Sequence, residues 1–131
     1  MNPAEWSRLE LAARAEKSQS MDNPKYVVET GEDGRFYFRL QAENGEPILS
    51  SEGYELKAGW ENGIESVKEN ASLAGRYERK SSVNGKPIFI LKAANGEEIG
   101  KSEIYESKAS RESGILAVKR VAPAAPIEDT T

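Results

Sequence analysis

The spacing of apolar residues changes along the chain, and the whole pattern then occurs a second time. Residues 35–42 alternate between apolar and polar side chains, whereas Trp60, Ile64, Val67 and Ala71 recur at intervals of three to four. Alternation is typical of a β-strand with one buried face, and the longer interval is typical of an amphipathic helix. The pattern therefore predicts strands followed by a helix, twice over.

The pattern recurs because the chain contains an internal duplication. Shifted by 51 residues, positions 26–71 align with positions 77–122 without a gap, and 21 of the 46 aligned positions are identical. We therefore divide the chain into an amino-terminal extension (1–22), repeat 1 (23–73), repeat 2 (74–122) and a carboxyl-terminal tail or exchanged edge strand (123–131).

Each repeat is predicted to be a three-stranded antiparallel meander followed by a helix. Asp-Gly and Asn-Gly pairs, which favour tight hairpin turns, separate the three strand-like segments of each repeat. We expect the strand faces that carry Phe38 and Phe89 to pack against the helices, and Gly63 and Gly114 to permit a close helix–sheet approach. A unit of about 50 residues is marginal alone, so both repeats should share one core.

Four segments carry a family resemblance: GRFYFRLQAENGEPILSSEGY and KAGWENGIESVKENA in repeat 1, and GKPIFILKAANGEEIGKSEIY and SKASRESGILAVKR in repeat 2. They resemble the YegP-like family of small tandem-repeat bacterial proteins over residues 24–122. The resemblance implies β-β-β-α-β units in one antiparallel sheet, with residues 76–80 and 126–129 as strands exchanged between units. It implies no function, because none is established for that family. The chain departs from the pattern at Leu56, where repeat 2 has the helix-capping Ser107.

The predicted fold class is α+β: tandem β-β-β-α(-β) repeats that form one antiparallel sheet with two helices packed on one face. Ahead of the repeats, Trp6, Leu9 and Ala13 indicate a short amphipathic helix over residues 3–17. This segment could dock on the sheet, be a mobile leader, or precede the actual start of the protein at Met21. Docking is the least favoured of the three, because the apolar stripe is short.

Composition excludes several classes of chemistry. The chain has no cysteine and no histidine, so it cannot form disulfides, thiolate nucleophiles, imidazole bases or the usual zinc sites. Its three aspartates, Asp22, Asp33 and Asp129, are too far apart in sequence to suggest an acidic metal cluster. We expect no enzymatic activity, catalytic residue, metal or cofactor. The sequence shows no membrane-spanning run and no signal peptide, so we expect a cytoplasmic protein.

A Ser-Glu-x-Tyr motif occurs at the strand–helix junction of both repeats. The candidate ligand-binding residues at these junctions are Ser51, Glu52, Tyr54, Ser102, Glu103 and Tyr105. A tyrosine beside a carboxylate and a hydroxyl can bind a polar ligand. The structural alternative, in which the tyrosine packs at the junction and its hydroxyl finds a partner, is favoured, because no activating group is nearby.

The leading functional hypothesis concerns the open face, the side of the predicted sheet that the helices leave uncovered. We assign to it an apolar centre and a charged rim, a combination typical of interaction surfaces: Arg35, Tyr37, Arg39, Leu49, Lys86, Ile88, Ile90 and Lys92. The chain is thus interpreted as a non-enzymatic protein-interaction module. Its partner would be an unidentified protein or a second copy, although a monomer with two repeats is expected.

Two alternatives remain open, namely an RNA-binding sheet and a small-molecule binder at the junctions. The aromatic segment from Gly34 to Phe38 faintly resembles the strands of RNA-binding sheets. The net charge of −4 disfavours nucleic acid. Charge is uneven, however: residues 23–73 have 5 basic and 10 acidic side chains, whereas residues 74–131 have 10 and 8.

Overall fold

The computed structural model describes residues 22–131, so the helix predicted over residues 3–17 lies outside the described residues. Repeat 1 forms β1 (Lys25–Thr30), β2 (Phe36–Gln41), β3 (Pro47–Ser50) and α1 (Lys57–Asn70). A short 3-10 turn, Ala74–Arg76, leads into repeat 2. Repeat 2 forms β4 (Tyr77–Ser81), β5 (Pro87–Lys92), β6 (Glu98–Lys101) and α2 (Lys108–Val121), and the described chain ends with β7 (Ile127–Asp129).

The strands form one sheet in the order β4-β5-β6-β3-β2-β1-β7. Each repeat makes the predicted antiparallel meander, and β3 meets β6 antiparallel at the centre. The predicted α+β architecture is confirmed, with one difference: β7 pairs with β1 in parallel, so the sheet is mixed. The exchange implied by the family resemblance is present, because β4 follows α1 but pairs with β5, and β7 follows α2 but pairs with β1.

Four tight turns connect the strands, and each contains a glycine at positive φ. These glycines are Gly34, Gly45, Gly85 and Gly96, with φ between 81° and 89°. They are the glycines of the predicted Asp-Gly and Asn-Gly pairs. A residue with a Cβ adopts this left-handed conformation only at a cost in free energy, so the glycines fix the positions of the turns between the strands.

Both helices cover the same side of the sheet, where they form one continuous core. Phe38 and Leu40 of β2, and Phe89 and Leu91 of β5, are buried there together with the apolar stripes of the helices. α1 contacts β2 of its own repeat and also β5 and β6, and α2 contacts both β5 and β3. Because each helix crosses onto the other repeat's strands, neither repeat contains a complete core.

The first residues of the two helices differ as the sequence predicts. The Ser107 hydroxyl accepts a hydrogen bond from the Ser110 backbone N–H, with a donor–acceptor distance of 3.0 Å. Leu56, in the equivalent position before α1, makes no side-chain cap and is exposed. α1 therefore begins without a stabilising interaction that α2 has.

Two buried tyrosines connect the repeats through the helix ends. The Tyr26 hydroxyl donates to the backbone oxygen of Ala122, at 2.8 Å, and the Tyr77 hydroxyl donates to that of Ala71, at 2.6 Å. The two alanines follow the last residues of α2 and α1, where backbone oxygens lack helical partners. Burial raises the pKa of both phenols, so each stays protonated and acts as a donor. The first strand of each repeat thus hydrogen bonds to the helix end of the other.

A pseudo-two-fold axis runs between β3 and β6, where equivalent residues face each other. Ser50 pairs with Lys101, its own counterpart 51 residues later. Next to this pair, Leu49 is fully buried, and a Cβ built on its counterpart Gly100 would lie 2.7 Å from a Leu49 methyl carbon. One leucine thus fills the space of two side chains.

Leu49 does not lie on the open face, so that assignment was wrong. Leu49 pairs with Leu40, and both side chains belong to the core. The register shifts between Leu40 and Gln41, which leaves Ile48 as an extra residue in β3. Such a β-bulge interrupts the strict alternation of faces from which Leu49 had been placed.

We predict that Tyr26→Phe and Tyr77→Phe each lower the free energy of unfolding by about 1–2 kcal/mol, because a buried backbone oxygen loses its donor. The matched control is Tyr37→Phe, whose exposed hydroxyl donates to Asp33 and whose loss should cost less than about 0.5 kcal/mol. Urea denaturation followed by circular dichroism measures all three. An unchanged midpoint in both buried variants would contradict the structural role assigned to these hydrogen bonds.

A second prediction concerns the pseudo-two-fold axis. Gly100→Leu should destabilise the protein by about 1–3 kcal/mol, because Leu49 already fills the space. Combining it with Leu49→Gly exchanges the two equivalent residues across the axis, and most of the lost stability should return. The same denaturation measurement tests both variants, and losses that simply add would show that the two side chains do not compete for one space.

Candidate functional site

The open face is built by alternation in β2 and β5. Since Phe38 and Phe89 point to the helices, Tyr37 and Arg39 of β2, and Ile88 of β5, point to the opposite side. Ile90 and Lys92 continue this row along β5, whereas Arg35 and Lys86 immediately precede their strands. The structure therefore brings together seven of the eight predicted residues, and Leu49 is the exception.

Every basic side chain predicted for the open face has an acidic partner. Arg39 pairs with Glu29, and the other three ion pairs are Lys92–Glu78 at 2.6 Å, Lys86–Glu106 at 2.9 Å and Arg35–Glu55 at 3.7 Å. The Lys92 ammonium holds the pKa of Glu78 below its usual range. All these side chains are partly exposed, so the pairs add little stability, but they neutralise the positive charge of the face.

Ile88 and Ile90 offer less surface than expected. They are only 5% and 6% exposed, and neither belongs to the core cluster beneath the helices. Ile88 lies opposite Lys80, and Ile90 lies between Glu78 and Lys101. Long side chains such as these can lay their methylene stems along neighbouring apolar groups. The centre of the face is therefore apolar in composition, but its accessible surroundings are charged.

The two halves of the open face differ in chemistry, although the repeats share one fold. Several equivalent core positions in the strands, such as Phe38 and Phe89, are identical, whereas every equivalent pair on the open face differs. The differing pairs are Val27/Glu78, Glu29/Lys80, Tyr37/Ile88, Arg39/Ile90, Gln41/Lys92 and Ser50/Lys101. The surface is thus asymmetric, with lysines in repeat 2 where repeat 1 has Glu29 and Ser50.

Lys80 and Lys101 are the basic residues of this face without an ion-pair partner among the described residues, although the charge of Lys80 contributes to the lowered pKa of Glu78. Both are exposed, and neither forms an ion pair with any residue between 22 and 131. They lie on β4 and β6, on either side of the isoleucine pair. Neither lysine is among the site residues predicted from the sequence, and Lys101 is the counterpart of the uncharged Ser50. A position-by-position comparison of the repeats would have found it.

A small cavity of about 220 Å³ lies in the repeat 1 half of the face. Glu29 and Arg39, which pair with each other, are among its lining residues. Beside it, the Tyr37 hydroxyl donates to an Asp33 carboxylate oxygen at 2.6 Å, which lowers the pKa of Asp33 and raises that of Tyr37. The charged side chains at this cavity thus have partners within repeat 1.

At the two junctions, the serine hydroxyls are occupied by the backbone. Ser51 Oγ accepts from the Phe38 N–H at 3.0 Å and donates to the Glu52 backbone oxygen at 2.8 Å. Ser102 Oγ makes the same pair of bonds in repeat 2, with Phe89 and Glu103. Each serine thus ties the end of its third strand to the second strand, and neither hydroxyl is available to a ligand without breaking these bonds.

The junction tyrosines are packing residues whose hydroxyls rest on the helices. Tyr54 stacks on Phe38 with 6.1 Å between ring centroids, and Tyr105 stacks on Phe89 with 6.2 Å. Burial, and secondarily the neighbouring Glu52 or Glu103 carboxylate, raises the pKa of each phenol. Neither hydroxyl hydrogen bonds to a described residue. The tyrosines therefore pack as the structural interpretation expects, but the hydrogen-bond partner that it expected for each hydroxyl is not found among the described residues.

The helix glycines allow this packing. A Cβ on Gly63 would lie 2.5 Å from the Tyr54 hydroxyl oxygen, and one on Gly114 would lie 2.1 Å from that of Tyr105. Phe38 is also within 3.1 Å of the Gly63 position. The close approach that we predicted from these glycines is thus made chiefly by the junction tyrosines.

The described part of the chain holds no group of three or more side chains that could bind a metal ion. Within residues 22–131, no helix has the length and apolar character needed to cross a bilayer.

We predict that Gly63→Ala lowers the free energy of unfolding by about 1–3 kcal/mol, because the new methyl group collides with Tyr54. This loss should exceed the roughly 1 kcal/mol that alanine contributes through helix propensity. Adding Tyr54→Phe removes the closest atom and should recover part of the stability. Gly75→Ala is the matched control, since a Cβ there meets nothing within 4 Å. Equal denaturation midpoints for Gly63→Ala and Gly75→Ala would contradict this account.

Several known proteins are similar to this chain in sequence. UPF0339 protein PA0329 of Pseudomonas aeruginosa is 45% identical over 105 residues, which cover 80% of this chain and 96% of that protein. UPF0339 protein YegP of Shigella flexneri is 44% identical over 106 residues, covering 81% and 96%.

Two solution NMR structures resemble the chain closely. UPF0339 protein SO3888 from Shewanella oneidensis matches with a TM-score of 0.76 and 43% sequence identity, covering 80% of this chain and 89% of that one. The E. coli protein of unknown function yegP matches with a TM-score of 0.79 and 41% identity, covering 86% and 97%. The family model of the domain of unknown function DUF1508 matches twice, at residues 32–78 and 82–129. The chain therefore belongs to the DUF1508 family, whose related proteins carry the name UPF0339 and whose function is uncharacterised.

Proposed function

We propose that this protein is a non-enzymatic protein-interaction module, and that the repeat 2 half of its open face binds an acidic surface of a partner protein. The observation that carries the proposal is the placement of Lys80 and Lys101. Both are exposed and free of ion pairs among the described residues, and they flank Ile88 and Ile90 on the side of the sheet without helices. The exposed lysines would complement acidic groups of a partner, and the buried isoleucines hold the strands beneath them in place.

A protein partner is better supported than RNA. The four basic residues first assigned to the face already pair with carboxylates. Two unpaired lysines provide few phosphate contacts, whereas nucleic-acid affinity grows with the number of phosphates neutralised. A small-molecule site at the junctions is less supported, because Ser51 and Ser102 are engaged with the backbone.

The proposed contact has two properties that distinguish it from the alternatives. It should weaken as salt increases, because exposed lysines supply its accessible groups. It should also bind one partner per chain, because the two halves of the open face differ in every equivalent pair. A ligand of the junctions would instead bind twice, since Ser-Glu-x-Tyr occurs identically in both repeats.

The first experiment is site-specific photo-cross-linking in the cells that make the protein. A photoreactive residue replaces Lys80 or Lys101 on the open face and, as a matched control, Lys57 or Lys108 on the helix side. Protein adducts from the open-face positions alone, identified by mass spectrometry, are the expected result. Adducts with RNA, adducts of equal yield at the control positions, or only the uncross-linked chain at all four positions would contradict the proposal.

We further predict that Lys80→Glu/Lys101→Glu weakens binding of the partner that cross-linking identifies about tenfold at low salt, because two attractive contacts become repulsive. The partner is purified separately for this measurement. Lys57→Glu/Lys108→Glu changes the net charge equally on the opposite side and should leave the affinity unchanged. Isothermal titration calorimetry measures both, and circular dichroism checks that each variant is folded. Equal losses in the two variants would indicate a nonspecific charge effect.

A further inference from the structure

Within residues 22–131, the strand at one end of the sheet has an edge without a neighbouring strand, whereas the equivalent edge in repeat 1 is occupied. Among the described residues β4 has a single neighbour, β5. Its counterpart in repeat 1 is β1, which pairs with β2 on one side and with the exchanged strand β7 on the other. Because the two repeats share one fold, β1 and β7 show how a strand edge of this kind binds a further strand.

β7 is held on β1 by backbone and side-chain contacts. The Tyr26 N–H donates to the Pro126 oxygen at 2.8 Å, and the Thr130 N–H donates to the Val28 oxygen at 3.0 Å. Lys25 Nζ lies 2.6 Å from a Glu128 carboxylate oxygen in a largely buried ion pair. Ile127, which is half-buried, packs against the core. β7 thus contributes an apolar residue followed by an acid, in a strand parallel to β1.

The edge of β4 presents corresponding groups. The Ser82 N–H donates to the Lys86 backbone oxygen, so Ser82 faces β5. Backbone groups of successive residues alternate in direction along an antiparallel pair, and the N–H and C=O groups of Arg79 and Ser81 therefore point away from β5. Arg79 is the counterpart of Val28, whose oxygen accepts from the strand that follows α2. Tyr77 differs from Tyr26, because its N–H donates to the Ala74 backbone oxygen of the 3-10 turn. The backbone groups available to a further strand are therefore the Tyr77 oxygen and the N–H and C=O groups of Arg79 and Ser81.

Most charges along this edge complement an acidic strand; the exception is Glu78, the counterpart of Val27, which would lie opposite the acid and is itself paired with Lys92. Arg76 occupies the position equivalent to Lys25, donates to the Asn70 side-chain oxygen, and forms no ion pair with any described residue. Lys80 is likewise unpaired within residues 22–131, whereas Arg79 is neutralised by two hydrogen bonds to Glu112. Basic side chains on an edge strand discourage pairing with arbitrary chains. Here they leave an acidic segment as the favoured occupant.

We propose that the free edge of β4 is a strand-binding site, which takes an extended apolar–acidic segment as a parallel eighth strand in the way that β1 takes β7. The backbone hydrogen bonds of the edge supply affinity, and Arg76 selects the acid, as in other cases of strand addition. This site goes beyond the proposed function, because it depends on the strand edge and on Arg76, whereas the open-face contact depends on Lys80 and Lys101. Lys80 borders both sites, so the variants that separate them are made at Arg76 and Lys101.

The test uses the full-length protein and a synthetic peptide of residues 123–131, PAAPIEDTT, with its amino end acetylated. Titration into 15N-labelled protein should shift the backbone amide signals of Arg79 and Ser81 and leave those of β1 unchanged, because β7 already covers that strand. The same peptide carrying Glu128→Lys should bind about threefold more weakly. No shift at millimolar peptide, or shifts centred on β1 or on the open face around Lys101, would overturn the proposal.

The strand direction is tested with a nitroxide spin label at the amino end of the peptide. Parallel addition should broaden the amide signals of Tyr77 and Glu78 more than those of Ser81 and Ser82. The reverse order would show antiparallel addition and would overturn the analogy with β7.

Matched variants separate this site from the open face. Ser81→Pro removes an outward N–H without removing a β4–β5 hydrogen bond, and Arg76→Gln removes the selecting charge; both should weaken peptide binding, and Arg35→Gln should not. If Ser81→Pro does not fold, Arg76→Gln still decides the question. Lys101→Glu should retain peptide binding while it weakens the open-face partner, so either proposal can fail without the other.

Discussion

The fold depends on buried hydrogen bonds that each repeat donates to the helix end of the other. Tyr26 and Tyr77 each donate a buried hydrogen bond to the backbone oxygen that ends the other repeat's helix. A helix end that is buried without such a donor is destabilised. Each helix also packs on strands of the other repeat, so neither repeat alone supplies all the strands that its helix covers. The sheet contributes less to this connection, since a single residue pair, Ser50 with Lys101, joins β3 to β6. The helices and these tyrosines thus make two marginal units into one domain.

This dependence explains where the duplicated sequence kept its symmetry. Helix-facing residues such as Phe38 and Phe89 occupy equivalent environments, so the same side chain fits both. On the pseudo-two-fold axis the reverse holds, because counterparts compete for one space, and Leu49 therefore faces Gly100. The Ser-Glu-x-Tyr junctions are identical for the same reason as the core: their serines and tyrosines hold each strand against each helix.

The open face is free of these packing constraints, and there the repeats differ. Among the described residues, the basic residues of this side that lack an ion pair lie in repeat 2, on β4 and β6, near the edge of β4 that no described strand covers. In repeat 1 the corresponding edge is covered by β7, and Arg39 is neutralised by Glu29. The two proposed contacts therefore lie close together on repeat 2, whereas repeat 1 presents a satisfied polar surface.

The sequence by itself determined the duplication, the turns, the order of strands and helix in each repeat, and the helix-facing stripe. These features depend on local preferences: glycine at positive φ, two-residue alternation and the helical interval. The family resemblance added the strand exchange. Only the tertiary structure decided that Leu49 is core, because a β-bulge interrupts alternation, and that β7 runs parallel to β1. It also decided that Ile88 and Ile90 are nearly inaccessible and which carboxylate neutralises which base. Burial, ion pairing and edge exposure arise from residues distant in the chain, so no local pattern in the sequence contains them.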